Sequence, residues 1–97
     1  MFEWSEEDGK STCVFTGRMD SAASMEMEAD LRAKIQGAEG AVVFDLGGVN
    51  YVASAFLRLC VMAVKAVGSD RLTFVNVQPM VKKVFMVSGL NKILNFQ

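Results

Sequence analysis

Between Gly40 and Gly47 the chain carries the run Ala41-Val42-Val43-Phe44, ended by Asp45. A short, continuous, β-branched apolar run bounded by glycines reads as a buried central strand. What surrounds it is helical in pattern. From Ser21 to Gln36 the apolar residues Ala23, Met27, Leu31 and Ile35 recur every four positions, while Glu26, Glu28, Asp30, Arg32 and Lys34 fall mostly on the other face. That spacing predicts an amphipathic helix stopped by Gly37. Acidic residues crowd its first half and basic ones its second, as the helix dipole favours. A second helix is predicted from Ser54 to about Val67, with Gly68 beyond its end and Ser54 as its N-cap.

The remaining segments complete an alternating order. Phe2–Ser5 and Thr12–Thr16 flank Glu7-Asp8-Gly9-Lys10, and an Asp-Gly pair between two β-prone runs predicts a hairpin. Leu72–Val77 reads as a strand. Pro79 suits the first position of a third helix, where its missing N–H costs nothing, with Val81, Val84 and Phe85 as the buried face and Lys82 and Lys83 in water. Ser88-Gly89-Leu90 reads as a helix end closed by a left-handed glycine, and Ile93, Leu94 and Phe96 as a short last strand. The order is β-β-α-β-α-β-α with a terminal β, which predicts an α/β domain over residues 1–97. Its sheet is mixed and mostly parallel, with helices packed on it.

Composition narrows the function. Fifty-two per cent hydrophobic residues against 22% charged describes a folded globular chain. A formal charge of −1 points to neither a nucleic acid nor an anionic membrane as partner. Val49–Val67 is the longest apolar stretch, and Arg58 and Lys65 break it, so no direct membrane insertion is expected. Met1–Lys10 is polar and acidic, unlike a signal peptide, and a cytoplasmic setting follows. Cys13 and Cys60, far apart in apolar runs, read as buried free thiols. Core filling is the expected role of Met25, Met27, Met62, Met80 and Met86.

The absence of histidine removes Ser-His and Cys-His catalysis and the commonest metal ligand. Gly47-Gly48 is not followed by Lys-Ser/Thr, so no phosphate loop forms. Asp45 at a strand end is a lone carboxylate. No catalytic residue, metal or cofactor is expected, and the chain is read as a non-enzyme.

Val43–Arg58, VFDLGGVNYVASAFLR, resembles the core motif of the STAS family, the bacterial anti-sigma-factor antagonists. That motif runs as an apolar strand, Asp/Asn-Leu, a loop with an aromatic, then a Ser-containing helix start. Thr16-Gly17-Arg18-Met19-Asp20 is similar to the family's Gly-x-x-Asp, and Val84–Lys92 to the end of its third helix. A further C-terminal helix is usual in the family. With the last residue at Gln97, a minimal C-terminus is expected.

The resemblance implies a protein-binding switch. In the family a serine opening the second helix is phosphorylated by a kinase that is also an anti-sigma factor, and dephosphorylation lets the domain bind that kinase. Ser54 matches the phospho-acceptor; the plain alternative is that it only caps its helix. Asp20 stands either as a partner to that site or as the cap of the first helix. Asn50 and Tyr51, in the loop beside Ser54, with Ala53, Phe56 and Arg58, complete the expected docking surface. Ala53 replaces the family's Asp or Ser, and Phe56 its glycine. The expected partner is an anti-sigma factor with serine-kinase activity. The alternative is a subunit of a lipid-transport ATP-binding-cassette ATPase, docking without phosphorylation. The sequence specifies no oligomeric state.

Overall fold

The computed structural model describes residues 1–97. Its elements are β1 (Phe2–Glu7), β2 (Lys10–Met19), α1 (Ser21–Gly37), β3 (Ala41–Val52), α2 (Ser54–Val67), β4 (Leu72–Val75), α3 (Pro79–Val87), a 3-10 turn (Leu90–Lys92) and β5 (Asn95–Phe96). The five strands lie in the order β1-β2-β3-β4-β5, so the apolar run at Val42–Phe44 is in the central strand, as predicted. β1 and β2 are antiparallel, and every other pair is parallel. The mixed, mostly parallel α/β sheet is therefore the one the alternating pattern implied.

Asp8 and Gly9 both adopt positive φ, +53° and +76°, between the paired Glu7 and Lys10. This is the two-residue turn whose twist matches a hairpin. Parallel register then aligns Trp4, Cys13, Phe44, Phe74 and Phe96 in one row across all five strands. Helices cover that side of the sheet. Phe15 meets Phe56 of α2 edge-on at 5.3 Å, and Phe74 meets Phe85 of α3 at 6.0 Å. Phe15–Phe44 and Phe44–Phe74 centroids are 5.0 and 5.3 Å apart, so the rings form a continuous edge-to-face series along the core. The alternate row, Ser5, Thr12, Val43, Thr73 and Asn95, points to the other side. Val43 there is only half-buried, because no helix lies over it. The central strand is thus buried on one face rather than two.

Several expectations need correction. β1 and β2 run beyond Phe2–Ser5 and Thr12–Thr16, because ladder pairing continues to the turn. β3 does not end at Asp45 but passes through Gly47-Gly48 to Val52, paired with the far half of β2. Burial of Val49 and Val52 rewards that extension. β4 stops at Val75, where Asn76 turns left-handed at φ +57°. Val84 is 38% exposed rather than core, and Met25, Met80 and Met86 are exposed; only Met27 of the five methionines is buried, with Met62 packed against the core. Pro79 does open α3, and Gly89 does take the left-handed position after it. Cys13 and Cys60 are free and buried. Burial raises both thiols, Cys13 from 9.0 to about 12, so neither offers a thiolate at neutral pH.

Candidate functional site

Strands β2 and β3 end together. Met19 pairs with Val52, and the Ala53 N–H donates to the Met19 carbonyl at 2.8 Å. The chain leaves both strands at this point to begin α1 and α2. Asp20 is therefore brought beside Ala53 and Ser54, although 34 positions separate Asp20 from Ser54 in sequence.

The two helix starts differ in one respect that matters chemically. Asp20 is the N-cap of α1, and its Oδ1 accepts from the Ala23 N–H at 2.8 Å. Of its two sequence readings, the structure displays the cap. At α2 the N-cap is Ala53, in the same extended conformation (φ −100°, ψ 170°), with no side-chain acceptor to offer. Ser54 is the first helical residue and not the cap expected of it, because pairing to Met19 holds Ala53 in the extended backbone one residue longer. The Phe56 N–H turns back to the Ala53 carbonyl at 3.0 Å, while the N–H groups of Ser54 and Ala55 have no protein partner. Ser54 itself is exposed. An exposed hydroxyl thus sits on a helix start whose donors are open and whose dipole is positive.

The other expected residues separate. Asn50 and Tyr51 belong to β3 and not to a loop. Gly17 pairs with Val49 and Arg18 with Tyr51, so Asn50 is the extra residue of a β-bulge. Tyr51 is 41% exposed and carries the Arg18 guanidinium 4.2 Å from its ring centroid. Arg18 was not singled out from sequence, although it lies inside the quoted Gly-x-x-Asp segment and strand alternation puts it outside the core. Phe56 is a correction. It is fully buried against Phe15 and cannot contact a partner on this surface. Its helical spacing with Cys60, Ala63 and Val67 turns it inward. Arg58 is exposed, one turn after Ser54 on the same helix face. Asp45 is tied locally: its Oδ1 accepts from the Gly47 N–H at 2.9 Å. The Gly47 carbonyl in turn accepts from Gln78 Nε2 at 2.9 Å.

Comparison with known proteins agrees with this layout. A family model described as Mlab, STAS domain matches residues 4–95. BtrV of Bordetella bronchiseptica, named as an anti-sigma factor antagonist, is 33% identical over 88 residues, covering 89% of this chain and 76% of that protein. Among solved structures, an anti-sigma-factor antagonist (STAS) domain protein from Planctomyces limnophilus superposes with a TM-score of 0.87 at 22% identity, covering 98% of this chain and 87% of that one. The Bacillus cell-fate determinant SpoIIAA, in its phosphorylated form, gives 0.73 at 20% identity, covering 100% and 91%. A mostly parallel sheet with β2 and β3 ending at two adjacent helix starts, matched along 4–95, settles the assignment: the chain belongs to the STAS domain family, that of the bacterial anti-sigma-factor antagonists.

Proposed function

We propose that this chain is a regulatory docking module, one domain over residues 1–97 and cytoplasmic, which binds an anti-sigma factor with serine-kinase activity and is switched by phosphorylation of Ser54. It acts by docking rather than by catalysis. The observation that carries the reading is the open start of α2: Ala53 supplies no cap, two N–H groups are unpartnered, and the exposed Ser54 hydroxyl stands beside them. A phosphate there brings a charge of about −1.5 to −2 and forms roughly one to three charge-assisted hydrogen bonds with such donors. It would supply an anionic acceptor at the start of α2, as Asp20 does at α1. Arg58, one turn along, adds a cation at the spacing that favours an acidic group N-terminal to it. The same charge alters the surface formed by Asp20, Tyr51, Ala53, Ser54 and Arg58, which is how docking is turned off.

The test is incubation with the cognate kinase and ATP, followed by intact mass and peptide mapping. One phosphate on Ser54 is expected, with none on Ser54→Ala, and Ser54→Glu should weaken kinase binding at least tenfold. Equal modification of the Ser54→Ala protein would remove the switch.

Ala53 also favours a second reading, because the polar neighbour usual beside the acceptor is gone. In that reading the domain docks on a lipid-transport ATP-binding-cassette ATPase without phosphorylation. Copurification with such a subunit, unchanged by Ser54→Ala, would select it.

A further inference from the structure

The outer surface of the α1–α2 layer carries a feature that extends well beyond the Ser54 site and shares Arg58 with it. α1 is apolar on two sides: Met27, Leu31 and Ile35 face the core, while Met25, Ala29 and Ala33 recur every four residues on the solvent side. Met25 is 73% exposed. On α2, Val61, Met62 and Ala66 rise beside this stripe. Three depressions of about 580, 290 and 410 Å³ adjoin along the seam and share Arg32 in their walls. From Ala55 to Ala66 the groove follows α2 for about 16 Å, three helical turns.

Its rim is mainly basic, with Glu28 the one carboxylate in its walls. Arg32, Arg58 and Lys65 border the apolar floor. Only Arg32 has an ion-pair partner, Glu28 at 2.8 Å, which leaves Arg58 and Lys65 unneutralised on a chain of net charge −1. A second observation points into the same place. Ser24 is 2% exposed, its hydroxyl oxygen has no hydrogen-bond partner, and it lines the depression of about 290 Å³ with Glu28, Arg32 and Arg58. Buried hydroxyls are normally paired.

An elongated apolar floor with cations along its edge is complementary to a helix that carries an apolar stripe flanked by carboxylates. Three cations on a net-negative chain are too few to follow a nucleic-acid backbone. We propose that the α1–α2 seam is a second docking groove, which takes an acidic amphipathic helix of a partner protein. Arg58 and Lys65 pair with its carboxylates, and Met25 and Met62 adjust to its apolar side chains. The groove lies mainly on helix flanks and shares Arg58 with the start of α2, so binding there does not require a phosphate on Ser54.

The test uses the full chain, labelled with ¹⁵N, and a synthetic amphipathic helix bearing a leucine stripe bordered by glutamates. A matched peptide with lysine for glutamate and bicelles of anionic lipid serve as alternative probes. Amide shifts should concentrate on α1 and α2 around Arg32, Gln36, Arg58 and Met62, with the glutamate peptide only. The double variant Arg58→Glu/Lys65→Glu should bind about tenfold more weakly, ~1.4 kcal/mol, with its spectrum otherwise folded. Ser54→Ala should bind as the parent does. Equal binding of the lysine peptide, shifts confined to the open sheet face, an unchanged affinity in the double variant, or no response to the glutamate peptide would each overturn the proposal. A response to bicelles alone would overturn it in favour of a lipid surface.

Discussion

Replacing Ala53 by Asp should stabilise the domain, and the molecule contains the template for how much. Asp20 and Ala53 occupy equivalent positions, each extended, each the last residue before a helix that begins with Ser. Asp20 Oδ1 accepts from the third helical N–H at 2.8 Å; at α2 the third N–H, that of Phe56, reaches only the Ala53 carbonyl, at 3.0 Å. A carboxylate at position 53 therefore offers that N–H the side-chain acceptor its counterpart has at α1. An N-cap is worth about 1 kcal/mol over alanine. The negative charge at a helix start adds roughly 0.3–1 kcal/mol. For a domain of this size ~1 kcal/mol moves Tm by about 4–8 °C. Thermal unfolding followed by circular dichroism should show a rise of that order in Ala53→Asp and a smaller one in Ala53→Asn, which caps without charge. Asp20→Ala should fall by a similar amount. A Tm unchanged or lowered in both position-53 variants, with Asp20→Ala behaving as expected, would refute the open helix start. It would take with it the structural support for an anion at Ser54.

Phe56→Ala removes a fully buried ring and should cost about 3–5 kcal/mol, enough to lower Tm by at least ~12 °C; a shift under ~4 °C would contradict its place in the core. Gly40 has φ +77°, and a Cβ there would run into the Gly9 carbonyl, so Gly40→Ala should cost more than ~1 kcal/mol in urea unfolding; an unmoved midpoint would refute that packing. Cys13, raised by burial from 9.0 to about 12, is favoured in the folded state as the neutral thiol. Its contribution to stability is complete below pH ~9 and is lost as pH climbs toward 12, so urea midpoints should be flat on the thiol's account near neutrality and decline above pH ~9. For the same reason neither cysteine should react with a thiol reagent at pH 8 until the chain unfolds, and rapid labelling of the native protein would sink this reading.

What could be read beforehand follows the range of the forces involved. Local chemistry was legible: Asp8-Gly9 as a hairpin turn, Pro79 opening α3, Gly89 closing it, and the bounds of α2 all depend on residues within a turn of one another. The strand order followed from alternation. The length of β3 did not, because Gly47-Gly48 looks like a loop until β2 is found running beside it, and that pairing joins residues some thirty positions apart. The same long-range pairing moved the cap of α2 from Ser54 to Ala53. Phe56 was misplaced for a different reason. It stands where the family pattern has glycine, which suggests a surface position, while its 4-3-4 spacing with Cys60, Ala63 and Val67 points inward. Hydrophobicity places Val84 and the outer methionines in the core; α3 rests on the sheet through Val81 and Phe85, which leaves the rest of its apolar residues outside.

The one-sided layering has a further consequence. Because α1, α2 and α3 each follow a parallel strand, all three begin at the same edge of the sheet. Each start carries a partial charge of roughly +0.5 from its peptide dipoles. The dipole contribution to that edge is therefore written into the connectivity of the backbone, and side-chain substitutions that preserve the fold add to it or offset it without removing it. Changes at Ala53, Ser54 or Asp20 tune how strongly an anion is held there; the backbone's share of that preference belongs to the topology.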